Sequence, residues 1–445
     1  MPIHSVLLPD GRVLTYGSTA TGQQTGYFQY DVWDPGQGMA AGHMVLPNGT
    51  GTDTFCNAQL LLPQGTGEVL LAGGDNWTGT NTTNTGNANT LLFKTSDRSL
   101  TRSLDMFRPR WYATLTSMPN GEVFVQGGRN GEDRAEVRKT DGTYRLLDNI
   151  DTTLLHWYYP RNWVAPDGRV FGFDTYGQMY YVDVTGNGAL TNAGRLALEN
   201  RGQDASAAMF LPGKILQFGG NSNGAVVINI TSGNPVVTPT SPMSSQRRWG
   251  SATILANGSV LATGGSAIYN ELVGVTTSAE IWNPATGEWT VGAAGALPRL
   301  YHSSAILLPD GSVLVGGGGA PGPMINVNAE IYFPPYLFTA NGALAPRPRI
   351  VSAPDLLGIG QTFTVEFANA SSITRVALLK TGSVTHSFDM DQRYVPLSFT
   401  ASGNRLTVRM PTRATDATPG YYQLLLVNAA GTPSVAKIVR VPISQ

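Results

Sequence analysis

A single cysteine in 445 residues rules out any intrachain disulfide, so cross-links say nothing about fold or compartment. Charge is also scarce. Charged residues make up 13% of the chain and the formal net charge is -1, which leaves no basic face for nucleic acid or an anionic membrane. No apolar run approaches the roughly 18 to 20 residues of a membrane span. No segment sustains a helical period, and MPIHSVLLPDG enters a strand pattern at once with no secretory leader ahead of it. Histidine is limited to five positions: His4, His43, His156, His302 and His386.

Turns and strands fill the chain instead. Seven runs end in a tight turn followed by a glycine-terminated strand: HSVLLPDGRVLTYG, NAQLLLPQGTGEVLLAGG, ATLTSMPNGEVFVQGG, NWVAPDGRVFGF, SAAMFLPGKILQFGG, SATILANGSVLATGG and SSAILLPDGSVLVGGGG. Pro-Asp-Gly and Pro-Asn-Gly between apolar runs are hairpin signals, because glycine accepts positive φ and Asp or Asn bonds its own backbone. Their turn glycines, Gly11, Gly65, Gly121, Gly168, Gly213, Gly258 and Gly311, recur at about 45 to 55 residues, the period of kelch-type propeller blades. The fold expected is therefore all-β, with a seven-bladed kelch-type β-propeller over residues 1–340. The fourth run lacks the Gly-Gly ending and the fifth lacks Asp or Asn in its turn. After Tyr336 the pattern stops, and TFTVEFA, TRVALLK, RYVPLSFTASGNRLTVRMP and YYQLLLVN have the spacing of an immunoglobulin-like β-sandwich over 341–445.

The position nine residues before each turn glycine opens the inner strand of its blade at one rim of the ring. Blade by blade it holds Pro2, Cys56, Tyr112, Tyr159, Asp204, Trp249 and His302, and equivalent positions in a propeller surround the axis at one height. Cys56 and Tyr112 thus fall on adjacent blades, with Tyr301-His302 across the mouth. A lone buried cysteine is usually a small core hydrophobe, and a Tyr-His dipeptide alone carries no information; their shared register makes a site. His386, in GSVTHSF, is expected near the tip of a hairpin from the second domain, after a Gly-Ser turn, projecting into the ring. Two imidazoles and two phenols form an N2O2 set, for which copper(II) ranks ahead of zinc or iron.

Two other function classes compete. A kelch-like binding or adhesion module would use the rim as an interaction surface, with no reason to gather Cys56, Tyr112, Tyr301, His302 and His386. A propeller glycosidase would need paired carboxylates, and the rim register holds only Asp204.

TFCNAQ around Cys56, RPRWYAT around Tyr112, RLYHSSAILLPDGSVLVGGGG, AEIYFPPYLF and GSVTHSFDMDQRYVPL resemble the copper radical oxidases, the galactose oxidase and glyoxal oxidase group, over nearly the whole chain. The resemblance implies one copper ion held by Tyr112, Tyr301, His302 and His386. It also implies a Cys56–Tyr112 thioether that carries a radical, and Tyr301 as axial phenolate and proton acceptor. The substrates implied are a small aldehyde or primary alcohol and O2, with hydrogen peroxide as product, in a secreted monomer. Galactose oxidase places a tryptophan over the thioether from the loop after the Gly-Gly of that blade; here the loop reads GGRNGED, and the sugar-binding domain that precedes the propeller in galactose oxidase has no counterpart. Small aldehydes are therefore expected over galactose. Trp249 is the rim residue that could shield the radical instead, and Arg129 and Arg161 are the candidates to bind a substrate carboxylate or hydrated aldehyde.

Overall fold

A computed structural model describes residues 2–78, 81–202 and 204–443. Strands dominate these residues; the only helical pieces among them are three 3₁₀ turns, Pro35–Gln37, Leu198–Asn200 and Pro335–Leu337. The Pro-Asp-Gly signals act as hairpin turns. Leu307 pairs with Val313 across one of them. Within that turn Gly311, at φ +84°, donates to Leu308 O at 2.9 Å, while Asp310 Oδ1 accepts from Ser312 N at 2.9 Å.

Each repeat opens with a strand that heads an antiparallel series: β1 (His4–Leu7), β2 (Ala58–Leu61), β3 (Trp111–Ser117), β4 (Arg161–Val164), β5 (Ser206–Leu211), β6 (Ser251–Ile254) and β7 (Ser303–Leu307). The series headed by β2, β3, β4, β6 and β7 are separate sheets, four of them four-stranded and one three-stranded, in a propeller arrangement. Those headed by β1 and β5 are joined into one larger sheet by a hairpin from the C-terminal region, β8 (Ser383–Thr385) and β9 (Phe388–Ser402). The opening strands pack on one another, β1 on β2, β2 on β3, β3 on β4, β5 on β6, β6 on β7 and β7 on β1. Between β4 and β5 the link runs through Arg161, whose Nη2 donates to Ala205 O at 2.8 Å, and through β9, which pairs in parallel with β5 at Ala207↔Phe388.

The Gly-Gly endings explain the spacing between neighbouring sheets. The second glycine of each pair donates its N–H to a carbonyl just ahead of the next opening strand: Gly74 to Arg110 O at 2.8 Å, Gly220 to Arg247 O at 3.0 Å and Gly265 to Arg299 O at 2.7 Å. A Cβ on Gly73 would lie 2.1 Å from Arg110 O, and one on Gly264 2.6 Å from Arg299 O. Both glycines also sit at positive φ, so no other residue fits there. The arginines complete the joint. Arg110, Arg247 and Arg299 each donate to the carbonyl of the first glycine in their own sheet's pair and ion-pair with Glu136, Glu280 and Glu330. The first two pairs are wholly buried, so removing either partner alone would strand a charge.

Beyond Arg349 the strands enclose an apolar core of their own, with Val365, Phe367, Val376, Leu378, Leu406 and Leu424 fully or almost fully buried. The 15-residue β9 belongs to both regions. Its start pairs with β8 and β5 inside the ring, and Tyr394–Leu397 pair with the Ile373–Lys380 strand of the C-terminal core.

Candidate metal centre

The rim register appears in the backbone itself. Tyr112 N donates to Cys56 O at 2.9 Å, Tyr159 N to Tyr112 O at 2.8 Å, and Trp249 N to Asp204 O at 2.9 Å, so residues at equivalent positions of neighbouring sheets bond directly. Cys56, Tyr112, Tyr159, Trp249 and His302 all have left-handed φ, between 35° and 73°. Such a backbone costs a non-glycine residue about 1 to 2 kcal/mol. Its recurrence at one height shows a turn imposed by the ring, each time aiming a side chain across the mouth, and strain of this kind concentrates at functional sites.

His386 arrives by another route. The hairpin turn is not at Gly382-Ser383, as the sequence suggested, but at His386-Ser387, since Thr385 pairs with Phe388. Both turn residues are left-handed, φ 48° and 63°, the geometry of a two-residue type I′ turn. Gly382 instead precedes β8, where its carbonyl accepts from Leu7 N. The imidazole is therefore at the very tip of the inserted hairpin.

Of the five histidines only His302 and His386 converge. Their Nε2 atoms lie 3.3 and 3.2 Å from Cys56 Sγ, and the donor atoms of all three residues fall within 4.8 Å of one another. His302 Nδ1 donates to Ala320 O at 2.6 Å, which fixes its tautomer and leaves the Nε2 lone pair facing the centre. His386 Nδ1 is bonded to Thr385 Oγ1 at 2.5 Å, turning its Nε2 the same way. The Tyr112 and Tyr301 hydroxyls lie 2.6 Å apart. Tyr301 stacks on His302 with ring centroids 3.7 Å apart, and Tyr112 meets His386 edge-on at 5.3 Å. His4, by contrast, is buried against Tyr16 and bonded to Gln59, while His43 and His156 pair with Asp31 and Thr175 away from the centre.

Burial pushes every one of these groups toward neutrality. It lowers His302 to about 3 and His386 well below the usual imidazole value, and raises the Cys56 thiol and the Tyr112 and Tyr301 phenols well above theirs. Two neutral imidazoles with free Nε2 lone pairs and two phenols that would ionise only beside a positive charge suit a divalent cation. Such a cation would supply the missing countercharge.

The remaining candidates separate. Trp249 lies against Tyr301, centroids 4.6 Å apart, whereas the ring stacked on Tyr112 is Tyr158, at 4.5 Å and 26°. Tyr158 stands one residue off the register, which is why the register did not find it. Trp157 and Phe55 add further rings, to Tyr112 and His302 respectively. Arg161 is not at the mouth. It is 3% exposed, donates to Tyr159 O and Ala205 O, and lies over Phe388, so its guanidinium joins strands instead of facing substrate. Arg129 is exposed and pairs across the sheet with Trp111, next to Tyr112.

The chain has relatives among known proteins. Residues 347–441 match the family model of the galactose oxidase-like, Early set domain. The chain is similar to galactose oxidase of Gibberella zeae, 30% identical over 97% of this chain and 67% of that protein. It is also similar to aldehyde oxidase GLOX of Vitis pseudoreticulata, 27% identical over 76% of this chain and 73% of that one. In fold it matches a solved fungal alcohol oxidase of the AA5 family in complex with copper, with TM-score 0.87, 24% identity, and 99% and 97% of the two chains covered. No helix among the described residues is long and apolar enough to cross a membrane.

Proposed function

The chain belongs to the galactose oxidase family of copper radical oxidases, and from that premise we propose that it oxidises a small aldehyde or primary alcohol with O2, releasing hydrogen peroxide. One copper ion would be held by Tyr112, Tyr301, His302 and His386, with Cys56 joined to the Tyr112 ring as a thioether. The observation that carries this reading is the convergence of two imidazole Nε2 atoms on Cys56 Sγ beside a 2.6 Å phenol–phenol contact. An adhesive kelch-like module has no use for five such groups buried together. The same reading takes the seven strand series as blades of one closed ring over 1–340, followed by an immunoglobulin-like domain over 341–445 that lends it His386, in a secreted, monomeric enzyme.

Copper and an oxidisable tyrosine together supply a two-electron acceptor that O2 can regenerate. The chain's own residues do the rest. Tyr301, bonded to Tyr112 and flanked by Trp249, is positioned to take the substrate hydroxyl proton. Ala320 O and Thr385 hold the two imidazoles with Nε2 inward. Tyr158 covers the Tyr112 ring, and near-complete burial excludes water from the oxidised group.

The substrate reading rests on the GGRNGED loop, which carries exposed Arg129 and no tryptophan. A hexose gains no stacking surface there, while an aldehyde hydrate can gain a charge-assisted bond. Oxygen uptake by copper-loaded protein should show methylglyoxal, glyoxal or glycolaldehyde turned over with kcat/KM at least about tenfold above galactose, roughly 1.4 kcal/mol in transition-state binding. Galactose as the better substrate would overturn this preference, and no peroxide from any alcohol or aldehyde would overturn the oxidase itself.

A further inference from the structure

Beside the mouth, on the face that carries the register residues, lies a second cavity that the oxidation chemistry does not use. It has a volume of about 450 Å³ and is lined by Thr175, Tyr176, Arg195, Arg201, Asp204, Asn221 and Arg248, with Leu198 and Gly202, within the size range of small-ligand sites. Three guanidinium groups surround one carboxylate, a local excess of two positive charges on a chain whose net charge is -1. A shallow annex shares Thr175, Arg201 and Gly202 and adds Arg161 and Asp174. Together they leave the balance unchanged, since one is a cation and the other an anion. The Asp174 carboxylate is also fully engaged with the backbone N–H groups of His156, Tyr176 and Gln178.

The cavity also has an acceptor and a platform. Asp204 is 1% exposed; its Oδ2 accepts from Arg248 at 2.9 Å, while its Oδ1 has no hydrogen-bond partner among the described residues. A buried carboxylate oxygen without a partner is costly and is satisfied by a ligand that donates. Arg248 spends its other terminal nitrogen on Asn221. Arg201 uses Nη1 on Tyr176 O, and exposed Arg195 makes only a 3.4 Å contact to Gln178, so both keep donors in hand. Tyr176 is 59% exposed, with its ring supported from behind by His156 at 4.4 Å, and it presents a fixed aromatic face at the cavity edge.

Guanidinium donors select a carboxylate, the orphaned Asp204 Oδ1 selects a hydroxyl donor, and an open tyrosine face takes an apolar ring surface. A free inorganic anion would satisfy only the first. We propose that this cavity is a binding site for an acidic saccharide, a uronate-bearing oligosaccharide whose carboxylate pairs with Arg201 and Arg195 while a hydroxyl donates to Asp204. The site adjoins the oxidation centre directly. Arg248 lines the cavity, and its chain neighbour Trp249 packs on Tyr301, so an occupant sits at the approach to the mouth.

The inference does not depend on copper and is tested without it. Calorimetric titration of the metal-free protein with digalacturonate should show saturable binding that weakens as salt is raised. The neutral disaccharide of the same linkage should bind at least about tenfold more weakly. Arg201→Gln and Tyr176→Ala, each with the melting temperature of the parent, should lower digalacturonate affinity by at least about tenfold. Equal binding of the neutral disaccharide, displacement by acetate or phosphate at matched concentration, or variants of unchanged affinity would each overturn the proposal. The oxidase reading would be untouched by any of these.

Discussion

Cys56 and Tyr112 are adjacent before any bond joins them: Tyr112 N bonds Cys56 O, and both side chains turn inward from left-handed backbone. After exposure to copper and O2 the intact mass should fall by two hydrogen atoms, and peptide mapping should recover Cys56 and Tyr112 in one cross-linked species. Separate unmodified peptides from active protein would exclude the thioether. Tyr301→Phe keeps the ring stacked on His302 but removes the hydroxyl that meets Tyr112, so kcat should drop by about 10²- to 10⁴-fold with the fold intact by circular dichroism. Counting back from the turn glycines located Cys56, Tyr112 and His302, because every blade restarts its inner strand at the same step. It could not locate Tyr158, one residue out of step, nor Ala320 and Thr385, which act through a carbonyl and a hydroxyl and leave no pattern in composition. Arg161 shows the opposite limit: an arginine reads as a ligand-binding group until its burial and backbone partners are known.

The β8–β9 hairpin is the element on which the centre depends most. Its I′ turn holds two non-glycine residues, His386 and Ser387, at positive φ. Ser387→Val places a β-branched side chain in that conformation and should add strain on the order of 1 kcal/mol to what Ser387 already bears. Denaturant melts should show that loss, and copper titration a weakened affinity, because the His386 ring swings with the turn. Farther along the same hairpin, burial pushes Asp389 up to about 8 while its Oδ1 accepts from Ser383 N. The folded protein thus binds this proton more tightly than the unfolded chain, where the group has its ordinary carboxylate value. The resulting stability is present below about pH 4 and is lost as pH rises toward 8, by up to about 1.4 kcal/mol per pH unit. Asp389→Asn retains an acceptor for Ser383 N and should flatten that part of the stability–pH curve; an unchanged slope would assign it elsewhere. The hairpin was recognisable in the alternation of GSVTHSF, but its turn was misplaced by four residues. Gly-Ser carries the turn chemistry by local preference, and only pairing with β1 and β5 moves the turn to His-Ser.

Across the whole molecule, the repeats announced the propeller because five of the seven runs carry an Asp-Gly or Asn-Gly turn and five end in Gly-Gly. The Arg–Glu pairs that lock those joints were not apparent, since each arginine stands in the loop ahead of an opening strand and its glutamate in a strand 26 to 33 residues later. The C-terminal region is part of the ring's interior as well as a neighbour of the ring. Truncation after Leu337 should therefore uncover the β1 and β5 edges that β8 and β9 cover, and size-exclusion chromatography should show aggregation. Any soluble fraction should fail to hold copper in equilibrium dialysis; full-affinity binding by the truncated chain would remove His386 from the ligand set. The strand order also fixes a timetable. Cys56 leaves the ribosome some 330 residues ahead of His386, and domains tend to fold as they are made. The blades can therefore assemble while their thiol and phenols still lack the last imidazole. On the proposed ligand set, metal capture then becomes a late event that waits for the inserted hairpin, and a chain interrupted before it carries no working oxidant.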